Sequence, residues 1–182
     1  MKETKDRFLR KILFEIIPII YLIINGKKTF LASEFYLNEG ENIIALCLKK
    51  KLTNLYYMFH AYDVYNMKCI LDELKYLNAK EVTSLRYCFM GVPFADLKPI
   101  GNLDVSNCKG LTGLFMGYKN LSDLISIQNW DVSNGIDFSQ IFQGCSQLRD
   151  IRPLEYWNVT NGKNFFSMFD STKISCLNPL KN

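Results

Sequence analysis

Leu121–Gln147, LSDLISIQNWDVSNGIDFSQIFQGCSQ, decides how this chain is read, because the chain repeats it 27 residues later. Leu121 falls on Leu148, Leu124 on Ile151, Ile127 on Leu154, Trp130 on Trp157 and Val132 on Val159. Phe138, Ile141 and Phe142 fall on Phe165, Met168 and Phe169. Asp131-Val132-Ser133-Asn134-Gly135 answers Asn158-Val159-Thr160-Asn161-Gly162. Apolar columns that persist while the residues between them change are the mark of stacked repeats.

The pattern extends in both directions. Twenty-seven residues earlier the same columns hold Phe94, Leu97, Ile100, Leu103, Val105, Leu111, Leu114 and Phe115. A step of 26 then reaches Leu71, Leu74, Leu77, Ala79, Leu85, Cys88 and Phe89, and a step of 30 takes Leu85–Phe89 back to Leu55–Phe59. Ile174, Leu177, Pro179 and Leu180 begin a sixth unit.

Within a unit, Leu121, Leu124 and Ile127 suggest a short strand and its entry, and Trp130 with Val132 an extended stretch. Ser133-Asn134-Gly135 offers turn and helix-start chemistry. Phe138, Ile141 and Phe142 at i, i+3, i+4 predict one face of a short helix, with Gly144 as its left-handed stop. The column Pro99, Ser126, Pro153 and Pro179 would end or bulge each strand, since proline has no N–H to give a ladder. The Trp column (Leu77, Leu103, Trp130, Trp157) reads as core packing before it reads as a stacking platform.

The expected fold is therefore α/β: a leucine-rich-repeat-like solenoid of 26–30-residue strand–turn–helix units with an N-terminal β cap. Its parts are a charged tail over residues 1–11, a β-hairpin cap over 12–51, and about five repeats over 52–182 ending in a partial sixth. Three readings compete for Ile12–Ile24. A membrane-spanning helix needs about 20 apolar residues, whereas this run is interrupted by Glu15 and Pro18. A signal peptide would want an unbroken apolar core and a small-x-small cleavage site. An Ile-rich strand turning at Asn25-Gly26 and returning over 27–36 fits best, with a further strand over 42–48. A strand would leave the protein in the cytoplasm; an atypical signal or anchor would send it to the cell surface or out of the cell.

Composition bounds the function. Of 182 residues 48% are hydrophobic and 22% charged, as in a folded protein. The net charge of +4 lies in residues 1–51, with 10 Lys/Arg against 6 Asp/Glu, so the repeats are electrically balanced. No basic stripe marks a nucleic-acid groove. The six cysteines form no CxxC and the only histidine is His60, which argues against a structural zinc. Cys88 and Cys145 occupy columns that otherwise hold apolar residues, so they read as buried thiols. His60 with Cys69 is the one formal nucleophile–base pair, and a glycine-rich phosphate loop and HExxH are both missing from the sequence.

With these motifs in place the chain resembles the BspA-like leucine-rich-repeat family, surface protein type, whose units read W-[DN]-x-S-N-V-x-x-M-x-x-M-F-x-G-C-S-x-L. Trp130–Asn134 with Ile141–Leu148, and Trp157–Asn161 with Ser167–Phe169, carry the resemblance, and Leu52–Phe59 is similar to a first copy. It covers roughly residues 43–182, as a degenerate short member. The resemblance implies a curved α/β solenoid that binds macromolecules, often in adhesion, without catalysis.

The leading expectation is thus a non-catalytic module that binds a protein partner, with no cofactor, metal or small-molecule substrate. Its candidate contacts are the variable residues between the columns: Lys98, Asp123, Gln128, Arg152 and Glu155. The alternative is a structural subunit that stacks through its uncapped C-terminal end, since an open end leaves an edge for pairing.

Overall fold

The computed structural model describes residues 19–24, 27–29, 44–48, 53–56, 79–92 and 96–180, the first three ranges as backbone only. They belong to two compact units, Met1–Leu52 and Thr53–Asn182. In the first, strands β1 (Ile19–Ile24), β2 (Lys27–Thr29) and β3 (Ile44–Leu48) form an antiparallel sheet in the order β2-β1-β3. Ile24 lies opposite Lys27 and also opposite Ile44, and the β1–β3 register shifts between Ile19 and Tyr21. β-branched isoleucine suits an extended backbone. The remainder of the Ile12–Ile24 run and of the expected 27–36 return lies outside the described residues, as do His60 and Cys69.

The second unit corrects the expected architecture. Among its described residues there is no α-helix and no strand longer than one bridge, so the units are not strand–turn–helix repeats. The strands that do occur belong to the other compact unit, and the expected β cap of a solenoid goes with that fold. In its place stand turns and 3-10 helices, stacked by parallel single-residue bridges: Asn54 to Ser84, Ser84 to Gly110, Gly110 to Asp137 and Asp137 to Asn164.

The helix predicted over Phe138–Phe142 fails for a specific reason. Its backbone donors are divided by parity. Phe138, Gln140, Phe142 and Gly144 give their N–H groups to the carbonyls of Asn164, Phe166, Met168 and Asp170 in the next unit, at 2.8–3.0 Å. Gln143 and Cys145, between them, close turns on Gln140 and Phe142. The two preceding units do the same: Leu111, Gly113, Phe115 and Gly117 donate to Asp137, Ser139, Ile141 and Gln143, and Leu85, Tyr87, Phe89 and Gly91 donate to Gly110, Thr112, Leu114 and Met116. Half the donors build turns and half build an inter-unit ladder. Most of the segment's N–H groups are thereby paired without an i→i−4 bond.

This path needs left-handed residues at fixed columns. Tyr87, Gly113, Gln140 and Ser167 have φ between 51° and 59°, and Gly91, Gly117, Gly144 and Ser171 have φ between 57° and 75°. Non-glycine residues there cost about 1 kcal/mol each, which the continuous ladder offsets.

The proline column is also corrected. Pro99 and Pro153 sit in the first turn of the 3-10 helices Lys98–Ile100 and Arg152–Tyr156, and Pro179 in Asn178–Leu180; none ends a strand. The first turn has no donor partner to lose, so proline is tolerated there.

The core is columnar. Leu85, Leu111 and Phe138 are fully buried, as are Cys88, Leu114 and Ile141, and Phe89, Phe115 and Phe142. The last column stacks, with ring centroids 6.2, 5.8 and 5.6 Å apart from Phe89 through Phe169. Trp130 and Trp157 stack at 6.5 Å and 7°, and each indole N–H reaches back one unit, Trp130 to the carbonyls of Ile100 and Gly101 and Trp157 to that of Ile127. These tryptophans are core residues with their one donor satisfied.

Candidate interaction face

The short polar residues of each unit hold its corners. Asp104, Asp131 and Asn158 form one column, and each side-chain oxygen takes the N–H of the residue two positions on, Ser106, Ser133 or Thr160, at 3.0–3.2 Å. The Ser106 and Ser133 hydroxyls, followed by the same residues' N–H groups, hold the Asp104 and Asp131 carboxyls below their ordinary values. Asn107, Asn134 and Asn161 form the next column. Each Nδ2 donates at 2.8 Å to a carbonyl of the previous unit: Lys80, Ser106 and Ser133. The D-x-S-N text is a hinge and a rivet: Asp turns the chain, and Asn pins it to its neighbour. Gly135, expected as turn chemistry, is required instead because a Cβ there would run into the Phe138 ring and the Val132 carbonyl.

The five candidate contacts all lie on one face, that of the 3-10 helices. Asp96, Asp123 and Asp150 share a column at the start of each helix. Their carboxylates accept the N–H of Lys98, Ile125 and Arg152 at 2.8–2.9 Å. Asp123 is thus a turn-holding residue whose oxygen is already engaged. Lys98, Ile125 and Arg152 share the next column, and Gln128 and Glu155 the one beyond. The cations are paired locally. Lys98 Nζ lies 3.1 Å from Asp96 Oδ2, and Arg152 makes a forked contact with Asp150 down to 2.6 Å. The Arg152 side chain, followed by its N–H, keeps the Asp150 carboxyl depressed; the Lys98 N–H, followed by its side chain, does so for Asp96. Both cations remain about 81% exposed, so these pairs contribute little to stability.

Sequence reasoning missed two members of this face. Ile125 and Tyr156 are 51% and 65% exposed, between and beside the paired charges. Tyr156 also bonds Glu155, which raises its hydroxyl above the ordinary value. Gln128, Trp130, Asp131, Tyr156 and Asn158 line a shallow groove of about 310 Å³. The signal was present in the column itself: Ile125 is the apolar residue in a position that holds Lys and Arg in its neighbours.

Four cysteines have described side chains, and all four are thiols. Cys88, Cys108 and Cys145 are buried; Cys108 and Cys145 donate to the Val82 and Phe115 carbonyls, and burial pushes both up to about 12. Such groups stay protonated and unreactive at neutral pH. Cys176 is exposed and stands in the Asp96–Asp123–Asp150 column, where its sulfur takes the Asn178 N–H at 3.4 Å. Among the described residues no cluster of His, Cys, Asp and Glu could hold a metal, and no helix is long and apolar enough to cross a membrane.

No curated protein and no solved structure matches the chain. A family profile does, and it spans residues 83–178, from the second bridge to the start of the last 3-10 helix. These are the units in which ladder, Asx corners and Asn rivets repeat, and with more than half of its length matched the chain belongs to the family described as Mycoplasma protein of unknown function, DUF285.

Proposed function

We propose that this protein is a non-catalytic binding module whose 3-10 face engages a protein partner. The observation that carries the reading is the column Lys98–Ile125–Arg152 with Tyr156 beside it. An aliphatic and an aromatic side chain stand exposed among polar residues on a rigid stack. Exposed Tyr and Arg around an apolar centre are the usual anchors of protein interfaces. The cations already hold Asp96 and Asp150, so the face presents mixed, locally neutral charge rather than the unpaired basic stripe that a phosphate backbone attracts. The sequence resemblance to BspA-like repeats, which bind macromolecules, points the same way.

The test is site-specific photo-crosslinking in native cell extract. A photoreactive residue at Tyr156 should give a discrete protein adduct, and the same group at Ile136, on the ladder side, should not. Lys98→Glu with Arg152→Glu should abolish the adduct while leaving the thermal melt unchanged, since exposed substitutions of this kind shift stability by about 0.5 kcal/mol or less. Equal crosslinking from both sites, or an adduct untouched by the double reversal, overturns the reading.

A further inference from the structure

The groove on the 3-10 side lies between two stacked units. Its walls are Gln128, Asn129 and Asp131 from one unit and Tyr156 and Asn158 from the next, and the buried Trp130 is its floor. One unit earlier the Asn129, Asp131, Tyr156 and Asn158 columns hold Asn102, Asp104, Asn129 and Asp131. Tyr156 is therefore an aromatic ring in a column whose earlier members, Asn102 and Asn129, are amides. It is 65% exposed and its hydroxyl bonds the Glu155 carboxylate, so the ring is tethered at its tip and otherwise open to solvent.

Charge is unbalanced at the same place. Asp131 Oδ1 accepts the Ser133 N–H at 3.0 Å, and among the described residues no Lys or Arg pairs with this carboxylate. The neighbouring corner differs. Lys80 acts on Asp104 and favours its charge, whereas the charge that acts on Asp131 is the like charge of Asp104. The cations of the 3-10 columns are engaged elsewhere, Lys98 with Asp96 and Arg152 with Asp150. An uncompensated carboxylate thus stands in one groove with an exposed tyrosine ring.

We propose that this groove is the subsite for an arginine side chain of the protein partner. The subsite presupposes that the 3-10 face engages a protein, and it names the chemistry that would be recognised there. A guanidinium is planar, stacks on an aromatic face and carries five N–H donors with no acceptor. The groove supplies the complement: a ring to stack on, a carboxylate that lacks a cation, and the side-chain carbonyls of Gln128 and Asn129 beside it. Asp131 and Glu155 repel an acidic side chain. At about 310 Å³ the groove stands at the small end of ligand pockets, which suits one side chain.

The experiment is a titration of the full 182-residue chain with Nα-acetylarginine amide, followed by backbone amide chemical shifts. Saturable shifts centred on Asn129, Asp131, Tyr156 and Asn158 are expected at about millimolar concentration. Nα-acetylcitrulline amide, the same shape without the charge, should give none. Asp131→Asn and Tyr156→Leu should each weaken binding about threefold or more, and Tyr156→Phe, which keeps the ring, should recover most of the loss. Asn158 already makes the Asp131 contact as an amide, so Asp131→Asn leaves the corner formed. The partner is tested with the photoreactive group at Ile125, where Asp131→Asn with Tyr156→Leu should cut the adduct about tenfold. The absence of saturable shifts, equal binding of the citrulline probe, or shifts indifferent to both variants overturns the proposal. An adduct undiminished in the double variant overturns it too and leaves the 3-10 face as the partner's surface, whereas a parent chain that gives no adduct overturns both.

Discussion

The two sides of each unit are held by different chemistry. On the ladder side, units are joined chiefly by backbone groups: four N–H donors at alternate residues reach the next unit's carbonyls, and side-chain contacts such as Gln143 to Asp170 only add to them. On the 3-10 side the joints are made by side chains, the Asn rivets and the Trp indoles, while Asp carboxylates hold the turns within each unit. A backbone joint is indifferent to residue identity except where a left-handed φ or a proline would break it. A side-chain joint fixes identity. That is why the 3-10 side and its corners carry the recognisable text, W-D-x-S-N, while the ladder side tolerates Tyr87, Gly113, Gln140 and Ser167 in one column.

Proline separates the two sides most sharply. Gln140→Pro removes the N–H that reaches the Phe166 carbonyl and demands a φ near −65° where the chain has +58°. The expected loss is about 3 kcal/mol or more, read as a fall in the denaturant midpoint or as failure to fold. A variant that melts like the parent would show that the ladder is not the structural element described. On the other side the same substitution should help. Ser126 shares its column with Pro99 and Pro153, in the first turn of the 3-10 helix Ile125–Ile127. Ser126→Pro should raise stability by about 0.4–1 kcal/mol, through the lost freedom of the unfolded chain. A destabilising result would mean that the Ile125 turn differs from its two neighbours.

The sequence made the columns legible, and with them the period, the buried Trp and Cys residues and the face that carries the candidate contacts. It did not make the backbone legible, and the reason is geometric. Phe138, Ile141 and Phe142 share a side whether the segment is an α-helix or a run of i→i−3 turns, because both coil at three to four residues per turn. Only the partner of each N–H distinguishes them, and that partner is 26 residues away. Two clues existed. The run from Phe138 to Gly144 is too short for a stable helix of its own. Gly113 also stands in the middle of its counterpart, where a helix would disfavour it. The structural part of Asp123 is legible in its column: Asp96, Asp123 and Asp150 recur at a spacing of 27, two residues before the N–H that each of them holds. A residue type that recurs with the repeat does a structural job; the column Lys98, Ile125 and Arg152, which changes from unit to unit, is under no such demand.

Acid gives the mildest test of the same contrast. The carboxyls of Asp96, Asp104, Asp131 and Asp150 are all depressed by the hydrogen bonds they accept. A depressed group stabilises the fold above its unfolded value, 3.8 for aspartate, and that contribution is lost as pH falls through the folded value. The melting temperature should therefore hold steady from pH 7 to about 5 and decline below about pH 4, by less than either proline effect because these groups are well exposed. The loss should fall on the residues that the carboxylates hold, most of them on the 3-10 side and one, Ser139 held by Asp137, beside the ladder. Hydrogen exchange in acid should quicken first at Ser106, Ser133 and Arg152, whose N–H groups the carboxylates hold, while Phe115 and Phe142, bonded to backbone carbonyls, stay protected. The chain supplies its own control, since Asn158 makes the Asp131 contact without a charge. Asp104→Asn with Asp131→Asn should flatten the acid limb at those corners and leave the neutral melt near its parent value. Uniform acid loss across both sides, or an acid limb unchanged in the double variant, would remove the distinction between a side-chain joint and a backbone one.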